Sequence, residues 1–317
     1  MTKAYFLWPD GNVSRALRSS YRLVPVSVIE DLLRDMFPTG YPVLCSSGRA
    51  ALALALVRSG VGRNDLVGVF PYASHCVLDT ISRVATPLSG PTAADARLRV
   101  VHHQWGFVQE TKLPSNAIED CADTLYLPGT ALFPGGGKFE IWSLPKILGT
   151  SSGGVLWCRD QATADSVRDI VDQRGGGMLP WLIRLLGKLY PRAHLYWQGA
   201  EANMGAMSRL QTGEVLKAIE SWDTLVADRT AKLEMVWPYA VSWLLKPLNW
   251  LPPVVPVECG LTEKEDTETR ISSGFRMFER IKADGVRCLV KVLPIPIHQD
   301  VTAPWLSRAL NNLYRTT

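Results

Sequence analysis

The sequence predicts an α/β fold with a mostly parallel central sheet, on three observations. Short apolar runs alternate with helical patterns through the first two-thirds of the chain, the order that covers a parallel sheet with helices on both faces. One of those runs, Val43 to Cys45, passes through a Ser/Gly turn straight into a helix. The composition, 47% hydrophobic and 20% charged over 317 residues, supplies a large core and excludes a disordered chain.

Each element follows in order. After the strand at Val43–Cys45 comes an Ala/Leu-rich helix from Gly48 to Val57. The apolar run from Leu66 to Phe70 precedes a helical pattern from Ser74 to Val84. Leu98–Val101, Ala117–Glu119, Phe139–Trp142 and Gly154–Trp157 read as further strands. Asp160 is an N-cap for a helix to about Arg174, which Gly175, Gly176 and Gly177 terminate. Leu210, Ile219, Trp222, Val226 and Leu233 recur at helical spacing and predict one long helix from Met207 to Met235. The Pro/Trp-rich stretch from Trp237 to Pro256 reads as a linker or extended crossing, and the tail from about Glu258 as a small α+β unit. The expected division is a large domain over residues 1–235 and a small C-terminal domain over 236–317.

The net charge of +4 suits an anionic ligand, and no Lys/Arg run marks a nucleic-acid tract. Cys45, Cys76, Cys121, Cys158, Cys259 and Cys288 are scattered without zinc spacing, so no metal site is expected and reduced thiols in a cytoplasmic protein are. The first residues lack a signal peptide's apolar core, and five prolines break the most apolar stretch, Met235 to Val257.

Three segments carry candidate chemistry. The Ser46-Ser47-Gly48-Arg49 turn places helix N–H groups, a glycine and a guanidinium where a phosphate would bind; an ordinary Ser-capped helix is the alternative. Glu119, Asp120 and Asp123 lie at the carboxyl end of a strand, where α/β sheets bind ligands and where a carboxylate can keep a pyridine nitrogen protonated; a solvated strand end is the alternative. Lys146, flanked by Leu144, Pro145, Ile147 and Leu148, is expected to be partly desolvated, which lowers an amine's pKa and makes it nucleophilic; a surface lysine in a loop is the alternative.

Taken together, Ser47-Gly48-Arg49-Ala50-Ala51-Leu52, Pro71-Tyr72-Ala73-Ser74-His75, Glu119-Asp120-Cys121-Ala122-Asp123 and Ser143-Leu144-Pro145-Lys146 before Gly153-Gly154 resemble, in order, the motifs of the DegT/DnrJ/EryC1/StrS family of nucleotide-sugar aminotransferases, which use pyridoxal 5'-phosphate (PLP). The stretch from Arg97 to Gly106 is similar to that family's V-H-x-Y-G strand, and Leu293 to His298 to its L-P-x-H signature. The resemblance implies a PLP fold-type-I large domain of the aspartate-aminotransferase kind, with a small C-terminal α+β domain. It implies that Lys146 holds the cofactor as a Schiff base and moves the proton, and that Asp120 pairs with the ring nitrogen. His75 would stack on the ring, Asp123 would stand at its phenolic oxygen in place of the family's His or Gln, and Gly48, Arg49 and Ser143 would hold the phosphate. Asn203 would complete the partner subunit's phosphate cup, making a homodimer with shared active sites. The implied substrates are an amino-acid donor, glutamate, and a keto-sugar on a nucleotide carrier, in polysaccharide or antibiotic-sugar synthesis.

A second reading, a non-catalytic PLP-fold descendant acting as a binding or assembly partner in glycan synthesis, rests on Asp123 and a lysine loop tighter than the family's. Met178 to Arg192 has the pattern of a basic amphipathic helix; packing at an interface is preferred there to contact with a membrane surface. His102 and His103 are adjacent on a strand and so point to opposite faces, which argues against a shared metal and for core packing or a substrate contact.

Overall fold

A computed structural model describes residues 5–10, 13–19, 21–90, 95–108, 112–175, 182, 186, 190, 204–258, 274–282 and 286–314. In chain order the elements are α1 (Val13–Ser19), α2 (Val26–Met36), β1 (Tyr41–Cys45), α3 (Gly48–Arg58), β2 (Leu66–Gly68), α4 (His75–Ser82), β3 (Thr86–Leu88), β4 (Leu98–His102), β5 (Ile118–Asp120), β6 (Leu125–Tyr126), β7 (Phe139–Ser143), α5 (Leu144–Leu148), β8 (Gly154–Cys158) and α6 (Gln161–Arg174). They continue with α7 (Arg209–Glu220), α8 (Trp222–Val236), β9 (Trp250–Leu251), β10 (Val254–Val257), β11 (Arg276–Ile281), β12 (Arg287–Pro296) and α9 (Ala303–Tyr314).

Seven strands form the central sheet in the order β1-β8-β7-β5-β4-β2-β3. The neighbours from β7 through β5, β4 and β2 to β3 are parallel, and β8 is antiparallel to both β1 and β7. The reversal has a local cause: only the five residues of α5 and a short turn separate β7 from β8, too few for the crossover of a dozen or more residues that a parallel return needs. A mostly parallel sheet flanked by helices is what the alternation of runs predicted.

Two apolar clusters flank the sheet. On one side α3 buries every residue from Ala50 to Leu56, which explains why its sequence shows no polar face. On the other, Phe37 packs edge-on against Trp142 and Trp157, with Tyr126 and Trp222 beside it. That cluster is continuous with Val255, Leu293 and Trp305 from the C-terminal third of the chain.

Three sequence expectations change. The long helix from Met207 to Met235 is two helices, α7 and α8, broken at Ser221, whose backbone (φ −99°, ψ 12°) leaves helical geometry. The break lets Trp222 reach the aromatic cluster, where it is 2% exposed and its indole N–H donates to the Tyr126 carbonyl at 3.0 Å. The stretch from Trp237 to Pro256 is more than a linker: β10 pairs along β12, and Pro256 stands opposite Pro294, so two residues without N–H groups share one rung. Lys146 lies on the short helix α5 and not in a loop. The segment from 178 to 192 lies outside the described residues except for Leu182, Leu186 and Tyr190. Among the described residues the cysteines are free, and no helix is long and apolar enough to cross a membrane.

Beneath the aromatic cluster, Glu140 is wholly buried; it accepts hydrogen bonds from the Phe133 N–H and, at 2.6 Å, from the Trp142 indole N–H. Burial pushes its pKa from 4.5 up to about 7. The folded chain therefore holds a proton there that the unfolded chain releases above 4.5. The contribution is complete below 4.5 and lost as pH rises through 7, a change of roughly 3 kcal/mol. Urea unfolding at pH 5 and pH 8 should show wild type losing more stability over that interval than E140Q, which is less stable at pH 5 but flatter. Equal slopes would refute the assignment.

Candidate active site

The site lies at the carboxyl ends of the parallel strands, where the sheet order puts β4, β5 and β7 side by side. Alternation along β5 separates its two acids. Glu119 turns into the protein, fully buried, and meets His103 Nε2 at 2.9 Å and the N–H groups of Gly135 and Gly137 at 2.7 and 2.6 Å. Asp120 turns to the opposite face and lines a cavity of about 560 Å³. The same alternation splits the two histidines of the β4 end. His103 goes inward with Glu119, and His102 enters the cavity with its Nδ1 3.3 Å from Asp120 Oδ2.

Lys146 enters from α5. Its Nζ lies 2.9 Å from Asp123 Oδ1, and the Trp8 ring lies over the amine at 4.6 Å. Asp123 Oδ1 also accepts the Trp8 indole N–H at 2.9 Å, and its Oδ2 lies 4.0 Å from His102 Nε2. Two carboxylates and two bases thus form one neutralised cluster. Burial works against the charged Lys146 amine, but Asp123 and then Asp120 outweigh it and hold the amine above its ordinary value. Burial likewise opposes a charged His102, and Asp120 with Asp123 overcomes it, raising the imidazole. Burial would lift Asp120, yet His102 and Lys146 hold it below the usual carboxylate range. Desolvation alone, the basis of the sequence argument for a lowered lysine, is therefore outweighed by carboxylates that the flanking residues do not reveal.

Another part of the lining is the start of α3. Ser47 caps α3 by accepting the Ala50 N–H at 3.1 Å, and the helix mouth opens into the cavity at Gly48 and Arg49. A Cβ on Gly48 would stand 3.2 Å from Ser143 Cβ, and one on Gly154 would fall 2.3 Å from the Ser47 carbonyl carbon. The α3 N-terminus, the end of β7 and the start of β8 therefore meet closely at these two glycines, and Gly48, Arg49 and Ser143 line the cavity beside them.

A family model described as "Putative PLP-dependent aminotransferase" matches residues 29–236. The chain belongs to this family. The aminotransferase has no match among curated protein sequences. Its fold is that of solved DegT/DnrJ/EryC1/StrS aminotransferases. The aminotransferase TlmJ from Streptoalloteichus hindustanus aligns over 99% of this chain and 98% of its own, with a TM-score of 0.68 at 15% identity. The sugar aminotransferase CalS13 from Micromonospora echinospora covers 100% of both chains, with a TM-score of 0.63 and 15% identity. A DegT DnrJ EryC1 StrS aminotransferase from Brucella abortus covers 96% of this chain and 95% of its own, with a TM-score of 0.62 and 13% identity.

The cofactor of this aminotransferase is PLP, and the residues present fit it: a carboxylate, an amine and a backbone cradle share one cavity, and the buried Asp123 Oδ2 has no hydrogen-bond partner. Gly48, Arg49, Asp120, Asp123, Ser143 and Lys146 all line the cavity. His75 does not: it is exposed on the first turn of α4, while its neighbours Ser74 and Cys76 line the wall. The structure therefore corrects the expectation that His75 stacks on the ring. A helix N-terminus turns successive side chains about 100° apart, so a one-residue shift in reading the motif moves the side chain off the cavity. Asn203 lies outside the described residues.

Sequence reasoning left two residues of the cluster without a role. His102 was legible in part, since strand alternation separates it from His103 but does not say which one faces the ligand. Trp8 left no signal, because 115 positions separate it from Asp123.

Proposed function

We propose that the protein transfers an amino group from an amino acid, glutamate, to the keto group of a nucleotide-linked sugar, as a homodimer in the cytoplasm. The observation that carries this reading is the Lys146 amine in a cavity that the N-terminal mouth of α3 also lines. Solved structures of the same fold include proteins titled sugar aminotransferases, which supports a sugar acceptor.

In this reading Gly48, Arg49 and Ser143 hold the phosphate. Asp120, kept charged by His102, faces the ring nitrogen. Lys146 would supply the amine that takes the aldehyde and would then move the proton between the substrate carbon that bears the nitrogen and the cofactor carbon that carried the aldehyde. When bound, the cofactor supplies the aldehyde and an electron-withdrawing ring. The 1–235 unit carries these residues, and the 236–317 unit adds Phe275, Arg276 and Met277 to the cavity wall.

The test is incubation of PLP-loaded protein with glutamate and a panel of nucleotide-linked keto-sugars. The expected result is 2-oxoglutarate in equal amount to an aminated sugar, identified by mass spectrometry. Amination of free keto acids but of no sugar nucleotide would refute the acceptor, and alanine serving where glutamate fails would refute the donor.

A further inference from the structure

A strap at the N-terminal end of the described chain, residues 5–10, lies across the cavity and is anchored by the C-terminal segment. Tyr5 packs edge-on against Trp305 with ring centroids 4.8 Å apart. His298 Nε2 lies 2.8 Å from the Phe6 carbonyl oxygen, and the Asp10 N–H donates to Asp300 Oδ2 at 2.7 Å. Between these anchors, Leu7 and Trp8 enter the cavity wall, while Phe6 points to solvent. Two ends of the chain are thus brought together to deliver one indole to the Lys146–Asp123 pair.

We propose that Trp8 is a positioning residue for Lys146: its indole N–H fixes the Asp123 carboxylate beside the amine, and its ring packs over the same amine. The inference rests on Lys146 being the amine that takes the cofactor.

The geometry argues for it as follows. The Asp123 side chain is 1% exposed, and its Oδ1 takes both hydrogen-bond-length contacts, from the Trp8 N–H and from Lys146 Nζ, each at 2.9 Å. Its Oδ2 is buried without a hydrogen-bond partner and lies 4.0 Å from His102 Nε2, so no hydrogen bond on that side fixes the rotation of the carboxylate. A directional donor from the strap selects the orientation that faces the amine. The ring face at 4.6 Å from Nζ adds an attraction for the charged amine. The titratable groups facing the amine are Asp123 and Asp120 after and at the end of β5, His102 on β4, and Cys76 on α4; Arg49 and Arg276 line the same cavity from α3 and β11. Of these, Asp123 is the one in direct contact and the one that Trp8 holds.

The experiment measures the basicity of the amine without any cofactor. Full-length protein freed of bound PLP by hydroxylamine and dialysis is labelled with trace acetic anhydride across a pH series, and the peptide containing Lys146 is quantified by mass spectrometry. Wild type, W8F, D123N and the double variant are compared, with thermal midpoints as the check on folding. D123N should move the midpoint of Lys146 labelling to lower pH by about one unit or more, as loss of a contacting opposite charge does. W8F, which keeps a ring but loses the N–H, should move it the same way by at least about half a unit. In the D123N background W8F should add nothing, because Trp8 acts through Asp123. No shift in W8F, or the same shift in both backgrounds, overturns the proposal. Should W8F fail to fold, W8L, which removes N–H and ring together, should shift the midpoint at least as far, and no shift there overturns the proposal. The visible band of the PLP-loaded wild type is recorded separately: its absence would refute Lys146 as the cofactor amine and leave the labelling cycle to decide the role of Trp8.

Discussion

Replacing Lys146 by alanine should abolish the visible absorption band of the PLP-loaded protein and lower amino transfer by at least about a thousandfold, the scale expected when a proton-carrying group that is also the attachment point is lost. Borohydride treatment of wild type should fix the cofactor on the peptide containing Lys146, and on no peptide of K146A. The cluster adds a pH signature. The amine is held above its ordinary value chiefly because Asp123 and Asp120 overcome its burial, so at neutral pH it is stored as an ammonium ion and must release a proton before it attacks an aldehyde. PLP uptake by wild type should quicken as pH rises from 7 to 9. A band that persists in K146A, or uptake that slows with rising pH, would refute the assignment. Colourless protein that PLP does not colour would favour the binding or assembly reading.

The second large effect concerns stability. E119A should destabilise the fold by about 3–5 kcal/mol, the range for removing one partner of a buried charged network. The reason is the number of groups that Glu119 satisfies: the N–H groups of Gly135 and Gly137, and His103. No side chain stands ready to replace it, because the turn is built tightly around the carboxylate. A Cβ on Gly135 would lie 2.5 Å from Leu113, and one on Gly137 would lie 2.8 Å from the Ala117 carbonyl oxygen. E119Q keeps one acceptor and the same size, so it should cost less. Urea midpoints with unchanged m-values measure both variants. An E119A protein within about 1 kcal/mol of wild type would show that the network is not what holds the turn to β5. Since Asp120 is the next residue, E119A should also weaken PLP binding in a protein that still folds.

These two neighbours show what a sequence can and cannot say. Both acids stand at a strand's carboxyl end, and period-2 alternation sends them to opposite faces. Which face holds the cavity depends on the order of strands in the sheet, and that order is a property of the folded chain. The same limit applies to His102 and His103. It applies to His75 as well, where the motif's position on the chain was correct for α4 but the side chain leaves the cavity.

The sequence by itself determined the alternation of strands and helices, the mostly parallel sheet, and the chain order of a Ser/Gly turn, an acidic strand end and a lysine. Those features are local: each is written in a few adjacent residues through hydrophobic period, capping and turn chemistry. Tertiary structure decided that Ser221 breaks a helix to bury Trp222, that Asp123 meets Lys146, and that Trp8 closes over both. Each of these depends on groups far apart in the chain. Their energies arise from packing and from charges that burial strengthens, and neither exists until the distant segments have met.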